Sequence, residues 1–303
     1  MGVDGQNFSY KLTINFCHLL YRMAQDAGKS IRLTLPLLWN LEKKLLRNHM
    51  FSLENKIAVI TGAGSGIGKA TALLFAQQRA TVHLLDLNAG AVAGTATEIE
   101  ALGGTAIPHS CNVTDQAEVR TTFENIGQVD ILVNSAGVSH IGNLENTSEA
   151  DFDRLYNVNI KGVYNCLYAA IPLMKKNGGG VVLNLASIAN NVGIADRFAY
   201  SMSKGAVYAM TLSVARDYLK DGVRCNCISP ARVHTGFVDD FIAKNYPGRE
   251  KEMFQKLSAS QPIGRMAQPG EIAHFILYLC SNEASFITGC DYPIDGGFIK
   301  LNN

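Results

Sequence analysis

What this chain has least of is charge of one sign. Its 303 residues carry 27 lysines and arginines against 26 aspartates and glutamates, a formal net charge of +1. Without a basic field there is nothing to draw in nucleic acid or an anionic membrane, so a partner must be chosen at a site. Long apolar runs are missing too. No stretch approaches the roughly 18 residues that span a bilayer, and no charged-apolar-small secretory pattern opens the sequence. The seven cysteines (Cys17, Cys111, Cys166, Cys225, Cys227, Cys280 and Cys290) fall into no disulfide framework. Cys225 and Cys227 stand in "VRCNCIS", where a strand turns both to one face; the spacing is neither a redox C-x-x-C nor a zinc pair. Reduced thiols in a cytoplasmic setting are the expectation. The seven histidines contain no H-E-x-x-H cluster, so no catalytic metal is expected.

With 47% apolar residues the chain can bury one large core. Residues 1–52 differ in texture and read as an N-terminal extension, poorly ordered or not native, ahead of a single catalytic domain over 53–303. Alternatively, "LPLLWNLEKKLLRN" forms an amphipathic helix that packs on a partner or a membrane surface. From Lys56 on, short β-branched runs alternate with helical stretches: "IAVIT", "GKATALLFAQQRA", "TVHLLDL", and later "DILVNSAG", the long "DFDRLYNVNIKGVYNCLYAAIPLMKK", "GGVVLNLAS" and "VRCNCISP". Apolar strands alternating with helices predict a parallel sheet covered on both faces. That is a doubly wound, Rossmann-like α/β domain with its ligand at the carboxyl ends of the strands.

"VITGAGSGIGKA" puts Gly62, Gly66 and Gly68 directly after the first strand and at the start of a helix. Glycine lets backbone N–H groups approach a pyrophosphate, and the helix N-terminus presents its positive end to the anion. Asp86 ends the next strand, 20 residues after Gly66. A carboxylate there accepts hydrogen bonds from an adenosine ribose diol and repels a 2′-phosphate. No arginine or lysine follows Asp86 closely, and Ser65 stands where a base would hold that phosphate. The expected cofactor is NAD.

Further motifs follow in order: "NSAG" at 134–137, "YNVNIKG" with Asn159, "LNLAS" with Ser187, and "YSMSK" with Tyr200 and Lys204. Together with the glycine loop and "SPARVHT" they resemble the short-chain dehydrogenase/reductase family, from about Lys56 to the C-terminus. The resemblance implies an oxidoreductase that moves hydride between NAD and a secondary alcohol or ketone, with Asn159, Ser187, Tyr200 and Lys204 as the catalytic set. It implies a cofactor held by Gly62, Ser65, Gly66, Ile67, Gly68, Asp86, Asn112, Val113, Asn134, Ala136, Gly137, Tyr200, Lys204, Val233 and Thr235. In that scheme Lys204 also holds the nicotinamide ribose, and Asn159 steadies a water chain for the departing proton. A homotetramer is implied as well. Ser135 replaces the second asparagine of the family's N-N-A-G, and Ala231 replaces a glycine after Pro230. Asn112 stands where the family has an aspartate beside the adenine; an asparagine can still hydrogen-bond an adenine amino group.

The Tyr200–Lys204 spacing suits the chemistry. A phenol of pKa near 10 is a poor base, and bringing it to about 7 takes roughly 4 kcal/mol. One positive charge about 4 Å away at an effective dielectric of 20 supplies about that much, and Lys204 lies one helical turn away. Ser187 would stabilise charge developing on the substrate oxygen.

Substrate positions in this family follow "NSAG", lie between Ser187 and Tyr200, and follow Pro230. Here they carry His140, Asn190, Arg197, Arg232 and His234, besides Ser187 and Tyr200 themselves. A steroid or acyl pocket would be rich in Leu, Phe and Met; these stretches are polar and cationic. Arg197 could grip a carboxylate through two parallel hydrogen bonds, making a small hydroxy acid or sugar acid the expected substrate. The alternatives are arginines paired with Asp196, Asp239 or another acid, and a neutral sugar held by His140, His234 and Asn190. "SPARVHTGFVDDFIAKNYPGRE" is similar to family members that act on fucose or on 2-keto-3-deoxy-fuconate. Dehydrogenation of a short 3-hydroxy acid, NADPH-dependent carbonyl reduction and a catalytically silent NAD sensor are the competing readings.

Overall fold

Strands form where apolar and β-branched residues run unbroken, because both faces of each must be covered. In the computed structural model, which describes residues 50–301, they are β1 (Ile57–Thr61), β2 (Thr81–Asp86), β3 (Thr105–Ser110), β4 (Ile131–Asn134), β5 (Gly180–Leu185), β6 (Val223–Pro230) and β7 (Asp291–Ile294). They make one parallel seven-stranded sheet in the order β3-β2-β1-β4-β5-β6-β7, the doubly wound arrangement expected. The helices are α1 (Gly66–Gln77), α2 (Ala89–Ala101), α3 (Gln116–Ile126), α4 (Glu149–Leu155), α5 (Gly162–Lys176), α6 (Phe198–Asp217), α7 (Gly236–Asn245), α8 (Glu250–Ala259), α9 (Pro269–Cys280) and α10 (Phe298–Leu301).

Alternating strand residues feed two cores, one on each face. Ala58, Ile60, Val82 and Leu84 share a cluster with Phe75 of α1, Ile99 of α2 and Ile276 of α9. Val59, Leu85 and Leu132 share the other with Phe123 of α3, Met174 of α5 and Val207 of α6. The packed unit begins at Phe51, whose ring meets that of Tyr278 edge-on with centroids 5.9 Å apart. The extension expected over residues 1–52 lies, for residues 1–49, outside the described residues.

The long helical stretch after Glu149 is not uniform. Between α4 and α5, Tyr156–Lys161 form a turn of π-helix, a widened geometry that is frequent at functional sites, and it carries Asn159.

Strand order reverses between β1 and β4, so the loops that follow these strands diverge and leave a crevice. Thr61 ties its base: the hydroxyl oxygen accepts the N–H groups of Ser135 and Ala136 at 3.1 and 3.0 Å. The glycine loop is packed just as tightly. A Cβ on Gly68 would stand 2.1 Å from the Gly62 carbonyl oxygen, whereas one on Gly94, in the middle of α2, would meet nothing within 4 Å. Alanine normally exceeds glycine in a helix by about 0.8–1 kcal/mol. Urea melts should therefore show Gly94→Ala raising stability by up to about 1 kcal/mol and Gly68→Ala lowering it by about 1–3 kcal/mol. Equal effects at the two positions would contradict the close loop packing.

Candidate active site

The crevice is a cleft of about 630 Å³, running along the carboxyl ends of the strands from the glycine loop to the segments around Arg197 and Arg232. At one end Gly62 and Gly66 take left-handed φ values of 66° and 55°, so the backbone alone lines the turn into α1. Asp86 is fixed in the wall beside it. One carboxylate oxygen accepts the Gly64 N–H at 3.1 Å, the other the Asn88 N–H at 3.0 Å. Ser65, Ile67, Gly68, Asn112, Val113, Ala136, Gly137, Val233 and Thr235 also line the cleft. A backbone cradle at a helix N-terminus with a carboxylate one strand away fits the pyrophosphate and ribose of a nicotinamide dinucleotide.

Asn134 is not part of that lining. Its amide nitrogen donates to Asn184 Oδ1 at 2.8 Å, and Asn184 donates in turn to Thr211 Oγ1 of α6 at 2.9 Å. This buried rung joins β4, β5 and α6 beneath the cleft.

Ser187 follows β5 and caps a 3₁₀ turn over Ile188–Asn190, its hydroxyl accepting the Ala189 N–H at 3.2 Å. Tyr200 lies in the first turn of α6 and Lys204 one turn on. Lys204 Nζ donates to the Leu185 carbonyl at 2.6 Å and stands 5.9 Å from the centre of the Tyr200 ring. Those three residues line the cleft. Asn159 sits just behind, buried, its amide bonded to both the N–H and the C=O of Val138 and to the Ser203 hydroxyl. Gly137 separates it from the lysine: a Cβ there would lie 3.3 Å from Asn159 Oδ1 and 3.7 Å from Lys204 Nζ.

Burial dominates the electrostatics. It brings Lys204 down from the ordinary 10.5 to about 8, and it raises the Tyr200 phenol. The Ser187 hydroxyl and the Arg197 charge pull the phenol down, but less than burial pushes it up. Arg197 is thus a cation that favours the phenolate, while the Lys204 ammonium is turned to the Leu185 carbonyl.

At the other end of the cleft, Arg197 donates to the His140 carbonyl at 3.0 Å and Arg232 to the Ser260 hydroxyl at 3.1 Å. Both are more than half buried, both are depressed mainly by that burial, and Arg197 depresses Arg232 further by repulsion. Neither forms an ion pair with a carboxylate among the described residues. The other predicted substrate residues are engaged elsewhere. Asp239 is held by His234 at 2.9 Å, and His140 lies 3.6 Å from Asp151. Asn190 accepts from the Ser187 N–H and the Ser229 hydroxyl and donates to Asp291 at 3.2 Å. None of His140, His234 and Asn190 lines the cleft.

Asp291 itself went unnoticed in the sequence. It takes four donors, from Ser229 (2.6 Å), Asn191 (2.8 Å), Asn190 and Cys227, and so braces the Ser187 turn from β7. A contact spanning about 100 residues leaves no local signal. Gln261 and Met266 also line the cleft, brought there by the chain after α8, which carries no motif.

The family described as enoyl-(acyl carrier protein) reductase matches residues 62–299. An uncharacterised oxidoreductase of Thermotoga maritima is 39% identical over 249 residues, covering 81% of this chain and 98% of that protein. A 2-keto-3-deoxy-L-fuconate dehydrogenase of Xanthomonas campestris is 34% identical, covering 81% of each chain. A solved 7α-hydroxysteroid dehydrogenase, complexed with NADH and 7-oxo glycochenodeoxycholic acid, is similar with a TM-score of 0.74 and 35% identity, covering 84% of this chain and 98% of that one. The last two differ in substrate, so what the matches share is a reaction class on alcohol and ketone groups. By its fold, its cleft and these relatives, the chain belongs to the short-chain dehydrogenase/reductase family of oxidoreductases.

Proposed function

We propose that this protein is an NAD-dependent dehydrogenase of a small hydroxy acid, most closely a sugar acid of the 2-keto-3-deoxy-fuconate kind. The observation that carries the reading is the pair of half-buried guanidinium groups in the cleft, Arg197 and Arg232, neither of which has a carboxylate partner among the described residues. Among the described residues Arg232 bonds through Nε alone and keeps both terminal nitrogens free to donate; Arg197 is bonded through one terminal nitrogen. Two cations that repel each other in a partly desolvated pocket are relieved by an anion, and each charge-assisted hydrogen bond contributes about 1.5–3 kcal/mol. A neutral sugar is less well served, because none of His140, His234 and Asn190 lines the cleft.

Asp86, with no basic residue close behind it, favours NAD over its 2′-phosphorylated form. The six described cysteines are all unpaired, which suits the cytoplasm. Exposed Tyr164 and Tyr168 on α5, with Phe198 and Leu212 on α6, are in keeping with assembly into a homotetramer.

Bound NAD would supply the hydride acceptor. The Tyr200 phenolate takes the alcohol proton, and the Ser187 hydroxyl donates to the substrate oxygen and orients it. Arg197 favours the phenolate, Lys204 holds the nicotinamide ribose and returns a charge to the phenol, and Asn159 links that lysine to the water beyond the Val138 loop.

The test is a screen of NADH appearance over sugar acids, hydroxy acids and neutral sugars, with both dinucleotides. Acids should lead, and Arg232→Met should raise their KM by about 10–100-fold, equal to one or two charge-assisted bonds, while leaving neutral alcohols unchanged. Neutral sugars leading, or an unaltered KM for acids, would remove the anion clamp.

Tyr200→Phe should lower kcat by about 10²–10⁴-fold, the usual worth of a positioned base, with NAD affinity by calorimetry nearly intact. Retained turnover would mean that another group takes the proton. Because the deprotonated phenol is the base, alcohol oxidation should rise with pH and ketone reduction fall.

Lys204 adds a stability signature. Its folded pKa is depressed, so the burden on the fold is full below about 8 and is relieved as pH rises toward 10.5. That displacement corresponds to about 3 kcal/mol, against about 1 kcal/mol for the lost bond to Leu185. Cofactor-free Lys204→Met should therefore melt a few degrees higher than the parent at pH 7 while losing turnover; a lower melting point would show that the buried ammonium is not a burden.

A further inference from the structure

Asp291 reaches from β7 to the turn that carries Ser187, and its two oxygens serve different parts of the molecule. Oδ1 accepts the Ser229 hydroxyl at 2.6 Å and the Cys227 thiol at 3.5 Å, both on β6. Oδ2 accepts the side-chain amides of Asn191 at 2.8 Å and Asn190 at 3.2 Å, at the end of the 3₁₀ turn. All four donors are neutral, so the carboxylate is used here for its acceptor atoms.

The link to Ser187 runs through the amide of Asn190. An amide can present either its oxygen or its nitrogen, whereas a carboxylate can only accept. Asp291 takes Asn190 Nδ2 and so leaves Oδ1 for the Ser187 N–H at 3.3 Å, one half of a capping box. In the other half the Ser187 hydroxyl oxygen accepts the Ala189 N–H at 3.2 Å. A hydroxyl with one lone pair fixed on its own turn keeps its O–H and its second lone pair for the cleft that it lines with Tyr200.

We propose that Asp291 is a positioning residue for the oxidoreductase reaction: through the Asn190 amide it holds the Ser187 hydroxyl in its working direction, by accepting hydrogen bonds and not by its charge. This rests on the role given to Ser187 above. The distinction has a chemical consequence. In Asp291→Asn the amide oxygen can stay on Asn190 and Asn191 while the nitrogen turns to Ser229. That hydroxyl can accept instead of donate, which frees its proton for Asn190 Oδ1, 3.0 Å away. Asp291→Leu has a similar shape and no acceptor, so the Asn190 amide loses its anchor.

The test compares Asp291→Asn, Asp291→Leu, Asn190→Ala and Ser187→Ala in the full chain, using whichever compound leads the screen above, acid or neutral. Calorimetric stoichiometry of the dinucleotide gives the fraction of competent protein. Asp291→Leu and Asn190→Ala should each lower kcat by about 10–100-fold, as a shift of about 1 Å at a reacting group does, with KM and dinucleotide affinity nearly intact. The Ser187 hydroxyl pulls the Tyr200 phenol down, so in both variants the rise of alcohol oxidation should move to higher pH, the neighbouring Arg197 and Lys204 charges being untouched. A merely smaller folded fraction would not move that profile. Asp291→Asn should keep the parental kcat and profile. Parental kcat in Asn190→Ala, a lower kcat with an unmoved profile, or a loss in Asp291→Asn as deep as in Asp291→Leu overturns the proposal. The Asn190 variant decides the matter where Asp291→Leu fails to fold. Parental turnover in Ser187→Ala overturns the role of the serine and the proposal with it; lost turnover there beside full activity in Asp291→Leu and Asn190→Ala overturns the brace alone.

Discussion

An ammonium kept out of water, with no carboxylate beside it among the described residues, governs this site. Lys204 has a carbonyl as its hydrogen-bond partner, at the end of β5. A buried cation so poorly compensated is retained only if the surrounding structure over-determines its position. That explains how firmly α6 is fixed. Asn184 holds it through Thr211 at mid-helix, Asn159 through Ser203 near the start, and Arg197 through the His140 carbonyl at the N-terminus. Each tie runs to a different part of the molecule: the sheet, the π-turn and the loop after β4. The helix that carries the phenol and the ammonium is therefore located from three directions.

The two halves of the cleft are built on opposite principles. The half near α1 is made by removing side chains, so that backbone N–H groups approach an anion directly. The half near Arg197 and Arg232 is made by adding long ones, whose charges are set in a partly dry pocket. Between them Ser187 and Tyr200 line the cleft with two hydroxyl groups. The first half presents backbone and the Asp86 carboxylate, the second two cations.

The legibility of these parts in the sequence follows their physics. The strands were readable because burial on both faces forces unbroken apolar runs, and the glycine loop because its close approaches exclude every other residue. That Tyr200 and Lys204 share one helix face was readable from their spacing, and Ser187 came through the family resemblance; all three line the cleft. Direction was harder. Asn134 belongs to a motif at the rim, yet its side chain points into the sheet toward Asn184. Asn190 lies between the serine and the tyrosine, yet it serves as a cap, since its acceptor is claimed by the Ser187 N–H and the Ser229 hydroxyl. His234 is drawn off by Asp239, and His140 lies outside the cleft with one ring nitrogen 3.6 Å from Asp151. The π-turn at Tyr156–Lys161 has no compositional mark; its Asn159 is tied to the Val138 loop, a contact 21 residues away in sequence.

The brace between Asp291 and Asn190 has a consequence for the order of events during synthesis. The glycine loop and its acid emerge early from the ribosome, within the first strands, whereas the carboxylate that steadies the serine turn is translated 101 residues after its asparagine. The turn that carries Ser187 is thus secured only when the closing strand of the sheet is in place.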